Sequence, residues 1–175
     1  MFRKLIFLTL LAPTHSIAAP TVGEALAKVE LSGDKGGLVS GNAWTSESIK
    51  GKVWTLFYVD PDKKDINELL ENTIKAEKFS REKFGSIAVI NMAATWLPNG
   101  IISSSIESKQ EKFPLTTYVK DKDKVLVKEW KLADETYDVM IFDATGKLRY
   151  YKSGTLEKSD VDTFIALIKE LIAGI

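Results

Sequence analysis

Cysteine is absent from all 175 residues, and histidine occurs once, at position 15. The first absence excludes disulfides, thiolate nucleophiles, thiol–disulfide exchange and cysteine-based metal sites, since the thiolate is the reactive species in each. It also excludes a lipid anchor acylated on cysteine. Net charge is lacking as well, with 24 Lys and Arg against 24 Asp and Glu. Neither nucleic acid nor an anionic membrane meets a long-range attractive field. Basic residues alternate with acids, as in Asp121-Lys122-Asp123-Lys124, where a phosphate-tracking stripe would cluster them. The apolar run Leu5 to Ala12 falls well short of the ~20 residues a membrane span needs.

That run reads as part of a secretory signal. Arg3 and Lys4 supply the positive start, and Ser16-Ile17-Ala18 the small-x-small cleavage site. The expected division is a signal at 1–18 and one domain at 19–175, located in the periplasm with no membrane insertion after cleavage. Cleavage removes Arg3, Lys4 and His15, leaving 22 basic and 24 acidic residues. Without histidine or cysteine the common nucleophile–base pairs and zinc sites drop out. Asp, Glu, Lys and Tyr remain as acids and bases. An apolar fraction of 45% and a charged fraction of 27% match a globular domain that folds without metal, cofactor or disulfide.

Val29–Leu31 and Leu38–Val39 flank a glycine-rich turn, Ser32–Gly37, and predict a hairpin. The glycines lack the spacing of a phosphate loop. Val53–Val59 is a nearly continuous apolar run, as in a strand buried on both faces. Asp60-Pro61-Asp62 breaks it, and Ile66, Leu69, Leu70 and Ile74 predict an amphipathic helix reaching Phe84 and stopped by Gly85. Ser86–Met92 predicts a second buried strand. Ser103–Ser105 are expected to cap a short helix carrying Ile106 and Phe113, and Leu115–Val119 and Lys124–Leu132 to form strands. Val139–Asp143 and Lys147–Lys152 read as a hairpin about Ala144-Thr145-Gly146. Val161 to Ile172 reads as a closing helix, capped by Thr155 or Ser159. This order implies an α/β fold, a mixed sheet with helices on both faces.

The order, with Gly51-Lys52-Val53 and Phe142-Asp143-Ala144-Thr145-Gly146-Lys147, resembles the thioredoxin-like fold of exported thioredoxin-family and peroxiredoxin-like proteins. A narrower resemblance, to the YtfJ family of exported bacterial proteins, is carried by Trp44-Thr45-Ser46, Ser104-Ser105-Ile106-Glu107-Ser108, and Glu129-Trp130-Lys131-Leu132 with Glu135. It implies a cysteine-free thioredoxin-like domain with an N-terminal β-hairpin extension. Laid on this sequence, the thioredoxin pattern puts the two active cysteines near Lys63 and Ile66. The peroxiredoxin cysteine falls near Asn67, and the cis-proline near Tyr137. Thiol oxidoreductase and peroxidase activity are therefore not expected.

Ligands of open α/β sheets bind at the carboxyl ends of parallel strands. Asp60, Asp62, Lys63, Asn91, Trp96 and Tyr137 are the candidate ligand or partner surface, with no catalytic residue or metal ligand assigned. Asp60, Asp62 and Asp65 suit helix capping. A hard cation or carboxylate catalysis is the alternative, and would make the chain a cation-dependent or carboxylate-based enzyme using Asp60 and Asp62. Trp54 is expected in the core. Trp96 either anchors a partner or folds over the sheet end. The favoured expectation is a non-redox binding or accessory module whose partner is an envelope protein, peptide or small ligand, not nucleic acid.

Overall fold

The structure is a computed structural model that describes residues 19–175. The expected signal at 1–18, including His15, lies outside the described residues. In chain order the elements are β1 (Glu30–Leu31), β2 (Gly36–Leu38), β3 (Trp44–Thr45), β4 (Val53–Val59), α1 (Glu68–Glu77), β5 (Phe84–Asn91) and α2 (Asn99–Lys112). They continue as β6 (Thr116–Asp121), α3 (Val125–Trp130), β7 (Tyr137–Phe142), β8 (Leu148–Ser153) and α4 (Lys158–Ala173).

Six strands form one mixed sheet in the order β2-β6-β5-β4-β7-β8. β4, β5 and β6 run parallel, while β2, β7 and β8 pair antiparallel with their neighbours. Strand alternation divides the core into two layers. Phe57, Val59, Ala88, Ile90, Val139 and Ile141 face Leu70 of α1, Ile102 and Ile106 of α2, and Val161, Phe164 and Ile168 of α4. Leu56, Ile87, Val89, Val119 and Met140 face Val125, Leu126 and Trp130 of α3, and Leu31 and Trp44 of the β1–β3 ribbon. Both faces of β4, β5 and β7 are covered, which is why these strands read as unbroken apolar runs.

Several boundaries differ from the sequence expectations for identifiable reasons. The N-terminal ribbon pairs β1 with β3, while β2 joins the main sheet beside β6, so the two predicted hairpin arms have separate partners. Gly36 sits at φ +127°, where a Cβ would lie 1.8 Å from the Lys120 carbonyl oxygen; the glycines admit close strand approach rather than a hairpin turn. α1 ends at Glu77, capped by Lys78 in the left-handed conformation (φ 51°), and Phe84 already begins β5. Gly85 stands inside β5 opposite Trp54, whose ring would be 2.3 Å from an added Cβ. Trp54 is half-buried, with Lys52 Nζ 4.5 Å from its ring centroid, rather than fully in the core.

The serines of α2 lie inside the helix, not at its start: Ser104 Oγ donates to the Gly100 carbonyl, and Pro98 precedes the first turn. Glu157 caps α4, reciprocally with Asp160, in place of Thr155 or Ser159. The largest correction is 124–132, predicted as a strand and folded as α3. Asp121 causes it: its carboxylate accepts from the N–H groups of Asp123, Val125 and Leu126 at 3.1, 2.9 and 3.0 Å, closing a helix start that local alternation had hidden. Trp130 is thereby buried and donates Nε1–H to the Ala27 carbonyl at 2.7 Å.

Candidate functional site

The parallel strands deliver Asp60, Asn91 and Asp121 to one end of the sheet, beside the start of antiparallel β7 at Tyr137. Asp60 is 3% exposed and Asn91 is 1% exposed, so neither presents a surface group. Asp60 Oδ1 accepts from the Asp62 N–H at 2.8 Å, with Pro61 opening a single 3-10 turn at Pro61–Lys63. Burial raises the Asp60 carboxyl, opposed by that N–H and reinforced by the Asp62 charge. Asp62 and Lys63 are exposed, and Asp65 pairs with the adjacent Lys64. The three acids do not converge, and no group of three or more acidic or histidine side chains among the described residues is arranged to hold a metal ion.

The positions that the thioredoxin pattern gives to its two thiols are occupied by Lys63 and Ile66, and the peroxiredoxin position by Asn67. Asn67 is buried; its Nδ2 donates to the Gly154 carbonyl at 3.0 Å and its Oδ1 accepts from the Leu156 N–H at 2.8 Å. One amide thus clamps the β8–α4 connection to the start of α1. Tyr137, at the cis-proline position, is also buried rather than part of the surface expected for it. Its hydroxyl donates to Glu71 Oε1 at 2.6 Å and its ring meets Phe57 edge-on at 6.0 Å. Burial first, then the Glu71 charge, pushes the Tyr137 hydroxyl well above its ordinary value.

A polar layer lies under α3 and the segment 131–136 on the opposite face. Tyr58 donates to Asp121 at 3.1 Å, and Tyr151 to Asp138 at 3.1 Å. Asn91 Nδ2 donates to Asp134 Oδ1 at 3.1 Å, and Lys124 Nζ reaches Asp134 Oδ2 at 2.6 Å. Burial alone would raise Asp134, but the Lys124 ammonium beside it holds the carboxyl below its usual range. Two buried acceptors here, Asn91 Oδ1 and Asp138 Oδ2, have no partner. Sequence reasoning missed Asp121, Asp134 and Asp138. An acid at the second position of the otherwise apolar strand Tyr137–Phe142 was the available signal for Asp138. The Asp121-x-Asp123 step ahead of Val125-Leu126 was the signal for a cap.

Trp96 is 86% exposed, with its turn fixed by Thr95 Oγ1 accepting from the Leu97 N–H at 3.3 Å. Leu97 packs inward. Ile101 in the first turn of α2 is 60% exposed and Leu69 in the first turn of α1 is 54% exposed. Both helices begin at the carboxyl end of the sheet, so exposed apolar side chains accompany the acids there, with Leu69 and Ile101 from outside the sequence-based set. The groups brought to the surface at this end are therefore Asp62, Lys63 and Trp96. Asp60, Asn91 and Tyr137 hold the framework beneath.

Comparison with known proteins places this architecture. An exposed lipoprotein thioredoxin of Streptococcus pneumoniae superposes with a TM-score of 0.61 at 18% identity, covering 83% of this chain and all of that one. A peroxiredoxin-like protein from Aquifex aeolicus gives a TM-score of 0.62 at 14% identity over 88% of this chain and 89% of that one. At these identities the likeness establishes the thioredoxin-like fold. In sequence, the chain is 26% identical to the uncharacterized protein YtfJ of Escherichia coli K12, covering 97% of this chain and 98% of the relative. An uncharacterized Haemophilus influenzae protein is 25% identical over 73% of this chain and 71% of its own length. The model of the bacterial family of unknown function YtfJ_HI0045 matches residues 18–171, and the chain belongs to that family.

Proposed function

We propose that this chain is a non-redox binding module of the bacterial envelope, periplasmic after removal of residues 1–18, which holds a protein or peptide at the carboxyl end of its sheet. The observation that carries this reading is the pairing of two features at one end of the fold. Where a thioredoxin keeps its thiols, the chain has the exposed Lys63 and the core-packed Ile66, and at the peroxiredoxin position the structural amide of Asn67. At the same end, Trp96 stands 86% exposed on a braced turn. A large aromatic on a rigid turn adds contact area at little entropic cost, which is the character of an interface anchor.

The acid–base groups argue for binding over chemistry. Asp60, Tyr58 and Tyr137, all displaced by burial, lie inside and are hydrogen-bonded. The exposed Asp62 and Lys63 have no buried partner to act through. The test is in-cell cross-linking with mass spectrometry on the full-length protein, alongside fractionation of the envelope. Trp96→Ala is expected to cut the yield of specific adducts at least fivefold while thermal stability stays unchanged. An adduct pattern identical to wild type, or a protein confined to the cytoplasmic fraction, would overturn the proposal.

A further inference from the structure

Asp138 is fully buried, yet its carboxyl has a single hydrogen bond, from Tyr151 to Oδ1, and Oδ2 has no partner. No Lys or Arg pairs with it among the described residues. The titratable groups on the elements around it are Tyr58 from β4, Asp121 from β6, Tyr151 from β8, and Asp134 with its partner Lys124 from above. Ser153, its register partner on β8, and the Ala133 N–H are neutral donors near it. Lys124, the cation of this layer, is committed to Asp134 at 2.6 Å. A charge at Asp138 thus has neutral donors and no counter-charge.

The segment 131–136 meets Asp138 through the Ala133 N–H, which is directed at the carboxyl. Lys131 and Glu135 both adopt the left-handed backbone, at φ 59° and 56°, and Leu132 alone plugs the segment into the apolar layer. Asp134 ties the segment to Asn91 on β5 and to Lys124, while the Thr136 carbonyl accepts from the Asp60 N–H at 2.9 Å. Opening it would let water reach Asp138 and free the three groups at the carboxyl end that it now holds.

We propose that Asp138 is a proton-operated latch: protonated, it lets the segment 131–136 stay closed over the sheet end, and ionised, it drives that segment to open. The latch is independent of what binds at the sheet end. Burial pushes the Asp138 carboxyl up to about 6 from 3.8. The sign follows from proton counting. Between those values the closed state holds a proton that the open state has released, so closure is favoured fully below the lower value and lost as pH rises through about 6.

Hydrogen exchange on the full chain, corrected for the intrinsic pH dependence of amides, reads the opening directly. From pH 5 to pH 7.5 the exchange of 131–136 is expected to accelerate about tenfold, the share above pH 5 of the roughly 100-fold total set by the two ionisation values. Asp138→Asn, neutral at every pH, is expected to abolish that change and keep the segment protected. Corrected exchange that does not change with pH in the wild type would overturn the latch, as would the wild-type pH dependence persisting in Asp138→Asn. Should the variant fold poorly, carboxyl 13C titration of the wild type decides, and ionisation of Asp138 below pH 5 also overturns it.

Discussion

Replacing Asp121 by alanine is the most demanding test of how this sequence chooses its fold on the α3 side. The carboxylate is fully buried and accepts four hydrogen bonds, from the Tyr58 hydroxyl and from the N–H groups of Asp123, Val125 and Leu126. α3 has six residues, far too few to form alone, since isolated helices below about 12–15 residues are marginal. Among the described residues the Val125 and Leu126 N–H groups of its first turn have no other partner. Asp121→Ala strands the Val125 and Leu126 N–H groups and the Tyr58 hydroxyl, at about 1–3 kcal/mol for each buried unsatisfied group. Allowing for partial relaxation, the expected loss is about 4 kcal/mol. With a urea m-value of about 2 kcal/mol/M, the midpoint followed by tryptophan fluorescence should fall by about 2 M. Tyr58→Phe removes one of the four bonds and should cost about 1 kcal/mol. Asp121→Asn keeps an acceptor but turns an amide N–H₂ toward other donors, so it should fall between the two. An Asp121→Ala protein within 1 kcal/mol of wild type would refute the claim that this side chain makes α3.

Asn67→Ala should cost about 2–3 kcal/mol, because it strands the buried Leu156 N–H and the Gly154 carbonyl; thermal unfolding measures the loss, and hydrogen exchange should rise at 154–156 before it rises elsewhere. Gly85→Ala should cost about 1–3 kcal/mol through collision with the Trp54 ring. The double variant Gly85→Ala/Trp54→Leu should be less destabilised than the sum of the two single changes, and strict additivity would show that the ring is not the obstacle.

The sheet and its flanking helices were legible because their signals are local and strong. Val53–Val59 and Val139–Phe142 are apolar on both faces, and the closing helix repeats its apolar residues at helical spacing. What stayed hidden depends on contacts distant in sequence. Val125-Leu126-Val127 favours a strand by propensity, and only Asp121, bonded also to Tyr58 63 residues away, turns it into a helix. Gly85 read as a helix stop because nothing local announces a tryptophan ring lying across it from β4. For the site, sequence placed Asp60, Asn91 and Tyr137 together at the carboxyl end of the parallel strands, where the structure has them, but could not tell a strand-end acid at the surface from one bonded inside. Burial of an edge residue is decided by what folds over it, here the segment 131–136 at Asn91 and α1 at Tyr137.

The same distinction separates the part of the molecule that fixes structure from the part open to a partner. A thioredoxin-like scaffold without thiols still has to fill the volume beside the start of α1. Asn67 does so with two opposed hydrogen bonds, which makes that point rigid and withdraws it from any ligand. Tyr137 does the same next to it through Glu71. In the proposed binding role, recognition at this end falls to groups that support nothing: Lys63, Trp96 and Ile101 are exposed and make no side-chain hydrogen bond among the described residues. Substitutions at these residues should report on binding without a stability cost, since exposed changes away from caps and cores rarely exceed about 0.5 kcal/mol. Substitutions at Asp60, Asn67, Asn91 or Tyr137 will report on folding first. A loss of function caused by one of those four changes is therefore not a measure of contact with a partner unless stability is measured beside it.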